Sequence, residues 1–257
     1  MLLGILSDIH EDIVRLSEGL IILKSRAVDE LVCLGDLVGY SPRYYDFSKT
    51  RDPNAVVSTL SEKCSCAVIG NHDLYALRRV PVNKEFFPYP ENWYGLSLKD
   101  RQEVSSGQVY LYDDEEMPLS LSPANVRYLE SLPEYCVKSF DDHKILLSHY
   151  AFPDCTGSST TEILKSEQLA SHFAMMNELD CIYGISGHDH SVGAKVFTAS
   201  AMSEYSFGAI LLPREAAWLN GPAVACQKST RNAVSIYDSD RRTLEIIPLR
   251  SITWCGS

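Results

Sequence analysis

The sequence predicts an α/β fold with two sheets, and three observations carry that prediction. Strand-length apolar runs alternate with helical periodicity over the first 80 residues, the pattern of a parallel sheet with helical crossovers. Beyond residue 190 the chain breaks into short strand-like runs with no helical pattern between them, which predicts a second sheet built mainly of antiparallel strands. Five of the apolar runs end directly in Asp, His, Asn or Gly, so chemistry-bearing side chains collect where loops leave the sheet.

Taken in order, LLGIL at residues 2–6 reads as a buried strand ending in Ser7, Asp8, Ile9 and His10. Ile13, Leu16, Leu20 and Leu23 then recur at helical spacing between Asp12 and Arg26. Leu31 to Leu34 form the next strand, followed by Gly35, Asp36 and Gly39; Asp52 and Pro53 supply the N-cap and first-turn signals of a helix through Lys63. A third strand, Cys66 to Ile69, leads into Gly70, Asn71, His72 and Asp73, where Asn71 is placed to cap a following helix. Residues 80–121 are looser, with prolines, the acidic run Asp113 to Glu116 and several aromatics; they read as a segment covering the body, helical in part between Trp93 and Val104.

Ser122 and Pro123 open a helix through Leu132, and Tyr135 to Phe140 with Lys144 to Leu147 read as a hairpin ending in Ser148, His149 and Tyr150. Leu164, Leu169, Phe173 and Met176 mark another helix, and Asp180 to Ile185 a strand that ends in Gly187, His188, Asp189 and His190. Strand-like runs follow at 194–198, 207–212, 223–226, 234–237 and 244–248. The whole reads as one domain, since 257 residues can share one large core and no linker, repeat or heptad run divides them.

A formal net charge of −11 argues against a surface that grips nucleic acid, which needs clustered Lys and Arg. No apolar stretch reaches bilayer-spanning length and Met1 to Ile5 lead straight into polar residues, so a soluble, unexported, cytoplasmic protein is expected. The eight cysteines, among them Cys66, Cys136 and Cys255, are scattered without metal or redox spacing and are expected as reduced thiols.

Asp8 and His10, Asp36, Asn71 to Asp73, His149, and His188 with His190 use five of the seven histidines, all at strand ends; His143 in a polar turn and His172 on a helix lack that placement. Asp-x-His and His-x-His put two ligands on one side of an extended segment, with Ile9 and Asp189 pointing away. Mixed carboxylate, imidazole and amide oxygen donors suit Mn(II), Fe(II), Zn(II) or Ni(II), and one carboxylate can bridge two ions. Such a pair would acidify a water and clamp the non-bridging oxygens of a phosphoryl group, supplying the positive potential that an acidic protein lacks.

In order, DxH at Asp8, GDxxG at Gly35, GNHD at Gly70, the isolated His149 and GHxH at Gly187 make the chain resemble the calcineurin-like metallophosphoesterases from Leu2 to His190, and GDLVGYSP at 35–42 resembles the small prokaryotic branch of predicted phosphodiesterases. The resemblance implies a four-layer α/β/β/α sandwich of two mixed sheets flanked by helices, with two divalent ions, manganese favoured, and a small-molecule phosphoester substrate. By motif match, Asp8, His10 and His190 would hold one ion, Asn71, His149 and His188 the other, and Asp36 would bridge. His72 matches the position not bound to metal, placed to stabilise the transition state or protonate the leaving oxygen, and Asp73 would orient it. The expectation is a phosphodiesterase, with a phosphomonoesterase or protein phosphatase as the alternative and a non-catalytic protein-binding scaffold as the alternative of another class. Tyr150 stands where the family often has glycine, and Asp189 where threonine is frequent.

Overall fold

The computed structural model describes residues 1–228 and 231–249; Cys255 lies outside them. β1 (Leu2–Leu6), α1 (Ile13–Ser25), β2 (Glu30–Cys33), α2 (Pro53–Lys63) and β3 (Cys66–Ala67) form the expected strand–helix repeats, with β1, β2 and β3 parallel. Asp12 caps α1 by accepting from Arg15 N at 3.0 Å, and Asp52 caps α2 by accepting from Ala55 N at 2.9 Å, each satisfying an amide that the first helical turn leaves unpaired. The short helix α3 (Asn71–Ala76) follows, then α4 (Leu98–Ser105), α5 (Pro123–Ser131), the antiparallel hairpin β4 (Tyr135–Ser139) and β5 (Lys144–Ser148), α6 (Ala170–Glu178) and β6 (Tyr183–Ser186).

The tail departs from expectation. It carries β7 (Ala194–Phe197), β8 (Met202–Tyr205), β9 (Gly208–Leu211), β10 (Ala217–Asn220), β11 (Ala233–Asp238) and β12 (Thr243–Pro248), so 223–226 is loop, while β8 and β10 had no place in the sequence reading. Nor do the tail strands form a separate sheet. One sheet runs β3-β2-β1-β11-β12-β9 and the other β4-β5-β6-β10-β7-β8, so both are mixed, and the tail completes each. An isolated apolar run does not encode which sheet it joins; packing decides that.

Alternation along the strands sorts side chains into layers. Leu3, Ile5 and Val32 of the first sheet meet Ile145, Leu147, Ile185 and Leu219 of the second in one core between the sheets. Leu6 and Cys33 turn to the opposite face, against Leu16 and Leu23 of α1 and Val56 and Leu60 of α2. On the far side, Leu146 packs on Met176 of α6. Helices, sheet, sheet and helix thus stack as four layers, each fully buried Leu, Ile or Val contributing about 1.5–3 kcal/mol.

Cys66 and Cys136 are joined as a disulfide, a correction to the expectation of reduced thiols throughout. They lie on β3 and β4, outermost strands of different sheets and 70 residues apart in sequence, so their proximity is a product of sheet stacking that spacing could not reveal. Among the described residues, Cys33, Cys64, Cys155 and Cys181 are free.

Candidate metal centre

The loops that leave β1 and β2 stay paired beyond the strands: Asp8 N donates to Gly35 O at 3.0 Å, and Ile9 N and His10 N both donate to Asp36 O, at 2.8 and 3.0 Å. Asp8 (φ 54°), His10 (46°), Glu11 (71°), Asp36 (52°), His188 (75°) and His190 (49°) all take left-handed backbone conformations. The premise that Asp-x-His and His-x-His lie on extended segments is therefore corrected. Turns, each held at a cost of about 1–3 kcal/mol, aim the paired side chains, and a cluster of such residues points to function. Asp189 does not turn away either: it lines the cleft beside Lys195, 3.5 Å from it. Ile9 is fully buried.

Two glycines allow the loops to close. A Cβ on Gly70 would fall 2.1 Å from Asp36 Oδ1, and one on Gly39 (φ 98°) would fall 2.5 Å from His72 Cβ, so these positions admit no side chain. Glu11, which the sequence reading passed over, shapes the same turn. Its Oε1 accepts from Gly39 N and Tyr40 N at 3.2 and 3.1 Å while Oε2 pairs with Arg51 at 3.1 Å.

Asp8, His10, Asp36, Asn71, His149, His188 and His190 converge at the ends of both sheets. His190 Nε2 lies 3.5 Å from Asp8 Oδ1 and 3.2 Å from His10 Nε2. His149 Nε2 lies 3.1 Å from Asp36 Oδ2, 3.0 Å from Asn71 Oδ1 and 3.3 Å from His188 Nδ1. Asp36 Oδ2 also stands 3.8 Å from His10 Nε2, between the two groups. His143 and His172 are elsewhere: His143 reaches Tyr237 OH at 2.5 Å, and His172 accepts from Phe152 N at 3.0 Å beneath Trp218.

Tautomers test whether cations fit. His10 Nδ1 faces Gly39 O at 3.0 Å and His149 Nδ1 faces Leu34 O at 2.7 Å; a ring nitrogen against a carbonyl carries the proton, which leaves each Nε2 lone pair turned inward. Those lone pairs meet carboxylate and amide oxygens, which are acceptors too, and the buried His190 Nδ1 has no hydrogen-bond partner. Acceptors facing acceptors need a cation between them, and this nitrogen and oxygen set fits divalent ions of intermediate hardness. Titration shows the same demand for positive charge. Burial opposes protonation of His149, but Asp36 and Asp8 hold it at about 10, so a proton on its Nε2 can satisfy the oxygens that a cation would otherwise face. Burial, with His72 nearby, drives His10 down to about 3 and keeps its Nε2 lone pair unprotonated. Burial likewise works against the charge on Asp36, yet His149 and His72 keep its carboxyl well below the usual range.

His72 stands at the edge of this cluster, its backbone N donating to Asp36 Oδ1 at 3.0 Å and its Nε2 3.9 Å from Asp36 Oδ2. Asp73 does not orient it. The Asp73 carboxylate instead accepts from Leu37 N, Val38 N and Gly70 N at 2.9, 3.1 and 3.1 Å, tying the Gly35 and Gly70 loops together. On an α-helix, consecutive residues point about 100° apart, so adjacency in sequence places the two side chains on different faces. The carboxylate beside His72 Nδ1 is Glu116, at 2.6 Å, from the segment that covers the body, and Tyr112 of that segment bonds Asn71. The acidic run at 113–116 was the signal for it, but nothing local ties that run to His72. Burial disfavours charge on His72, and Asp36 and Glu116 overcome this to hold it protonated up to about 9.

The centre opens into a cavity of about 390 Å³ whose outer wall includes Tyr44, Tyr110, Glu162 and Leu164. A family model described as calcineurin-like phosphoesterase matches residues 1–192. The chain belongs to that family.

The chain is 24% identical over 163 residues to an uncharacterised protein of Methanocaldococcus jannaschii, a stretch covering 60% of this chain and 55% of that relative. The match thus spans about half the relative's length. A metallophosphoesterase from Sphaerobacter thermophilus superposes with a TM-score of 0.63 at 21% identity, covering 97% of this chain and 88% of that one. A hypothetical protein from Pyrococcus horikoshii OT3 does so at 0.56 and 14%, with the same coverages. At these identities the structures share the fold. No helix among the described residues is long and apolar enough to cross a membrane.

Proposed function

We propose that the protein is a metal-dependent phosphoester hydrolase that acts on phosphodiesters and carries two divalent ions, manganese favoured. Asp8, His10 and His190 would hold one ion, Asn71, His149 and His188 the other, with Asp36 between them. The observation that carries this reading is the position of Asp36 Oδ2, within 3.1–3.9 Å of His149, His10 and His72 nitrogens, in the buried lining of the cavity. The bound ions would acidify an attacking water and neutralise charge on the phosphoryl oxygens.

The chain's own residues do the rest. His72 Nε2 faces the cavity from a ring held between Tyr112, 4.3 Å away, and Gly39, and donates a proton to the departing oxygen. Loop pairing fixes the other groups before substrate arrives: His188 N donates to Asp8 at 3.0 Å, so the two sheets' contributions cannot drift apart.

Two features of the cavity favour diesters. Room beyond His72, toward Tyr44, Tyr110 and Leu164, can receive a second ester arm. Glu115, Glu116, Glu162 and Asp189 also line it, while Lys195 is its single Lys or Arg among the described residues, and such a wall repels a dianionic monoester more than a monoanionic diester.

An Asp36→Asn variant tests the reading. With Mn(II) supplied and metal content measured, it should lose hydrolysis across a panel of mono- and diesters; undiminished turnover would refute the two-ion arrangement.

A further inference from the structure

We infer that Glu116 is the positioning residue for His72: a carboxylate from the covering segment, 44 residues downstream, that holds the ring so that Nε2 carries its proton toward the leaving oxygen. This rests on the proposed function and adds to it a residue that the neighbouring Asp73 cannot replace, since the Asp73 oxygens are committed to three backbone amides.

Glu116 is built to hold one place. Its side chain is 7% exposed, and Oε1 sits 2.6 Å from His72 Nδ1. The turn that carries it closes on itself, with Glu115 N and Glu116 N both donating to Tyr112 O at 3.0 Å. Arg101 grips Asp113 at that turn through two bonds, at 2.6 and 3.1 Å, and Arg43 holds Glu115 at 2.9 Å. Met117 N donates to Tyr40 O at 3.0 Å, which pins the turn to the Gly39 loop beneath the His72 ring. Tyr112, one helical turn's length before Glu116, covers the same ring and bonds Asn71. Imidazole, carboxylate and aromatic lid are thus one assembly, and it forms only when the 80–121 segment is docked.

The chemistry follows from the geometry. With Nδ1–H donated to Glu116, the other nitrogen of the protonated ring points at the cavity. As the oxygen of a water that gives up one proton to solvent bonds to phosphorus and the phosphorus–oxygen bond to the leaving group breaks, the Nε2 proton passes to the leaving oxygen. The neutral ring keeps its Nδ1–H on Glu116 and takes from solvent a proton equivalent to the one the attacking water released. Glu116 touches neither substrate nor phosphorus. Its contribution must therefore scale with how much the leaving oxygen needs a proton.

That scaling is the test. Wild type, Glu116→Ala, Glu116→Gln, His72→Ala and the double variant Glu116→Ala/His72→Ala are assayed with Mn(II) on aryl methyl phosphodiesters graded from nitrophenol, which leaves unprotonated, to unsubstituted phenol. Glu116→Ala should lose about 10- to 100-fold in kcat on the phenyl ester and several-fold less on the nitrophenyl ester, with KM and metal content unchanged. Glu116→Gln, whose amide oxygen still accepts from Nδ1–H, should recover part of the loss. The double variant should be no slower than His72→Ala, because both changes remove one function. Nitrogen NMR of the metal-free protein should find Nδ1 of His72 protonated in wild type and Glu116→Gln and tautomerically mixed in Glu116→Ala. Equal losses on every ester, or additive losses in the double variant, overturn the inference while leaving the proposed function standing. A wild-type protein that cleaves none of the esters overturns both.

Discussion

Replacing Asp73 by Asn separates two roles that the same residue could have. Asp73 Oδ1 accepts from Leu37 N and Val38 N, and Oδ2 from Gly70 N. The carboxyl is fully buried, and burial together with Asp36 pushes it up to about 7, so near neutral pH it is only partly ionised and removing its charge costs less than for an ordinary carboxylate. What remains is geometry. An Asn that keeps its oxygen toward Leu37 and Val38 turns an amide N–H₂ toward Gly70 N, donor against donor, and a buried unsatisfied N–H costs about 1–3 kcal/mol. Urea unfolding of Asp73→Asn should show an unchanged slope and a midpoint lowered by that energy divided by the slope. Because no Asp73 oxygen bonds the His72 ring, kcat of the folded fraction should stay near wild type. An unchanged midpoint with kcat reduced about 100-fold, the loss expected when a general acid is misplaced, would refute this reasoning and return Asp73 to the orienting role.

Three further outcomes are expected. His72→Ala should retain its metal content, measured by mass spectrometry, yet lose about 10²- to 10⁴-fold in kcat on a phenyl diester. Gly70→Ala forces a methyl carbon to within 2.1 Å of Asp36 Oδ1 unless the loop shifts, so calorimetric titration with Mn(II) should show affinity weakened about 10- to 100-fold. His172 is kept neutral by burial, its folded value lowered to about 3 from 6.5. The unfolded chain therefore binds a proton that the folded chain refuses: His172 contributes full stability above pH 6.5, which falls by about 1.4 kcal/mol per unit as pH drops below it. A His172→Gln variant should show a flatter profile of unfolding midpoint between about pH 6 and pH 4, and an unchanged profile would show that the ring is protonated in place.

Much of the fold was legible because its signals are local. Ile13, Leu16, Leu20 and Leu23 repeat at helical spacing, Asp52-Pro53 and Ser122-Pro123 announce helix starts, and the helices begin within a residue of those marks. The tail was less legible: β10, AWLN, is a four-residue buried run without alternation, and only its seat between β6 and β7 makes it a strand. The Cys66–Cys136 bond escaped for the same reason, since it joins strands of different sheets.

The sequence by itself determined which side chains gather. Asp8, His10, Asp36, Asn71, His149, His188 and His190 each stand at the end of a strand, and a strand's end is set by its own few residues. Only the tertiary structure decided how they are aimed and served. Six left-handed residues, held by loop-to-loop hydrogen bonds, point the groups inward where an extended chain would not. His72 takes its carboxylate partner from Glu116, not from its neighbour Asp73. Side-chain direction on a helix turns by about 100° per residue, so a neighbour in sequence faces elsewhere, and the partner must come from whatever segment packing brings against that face.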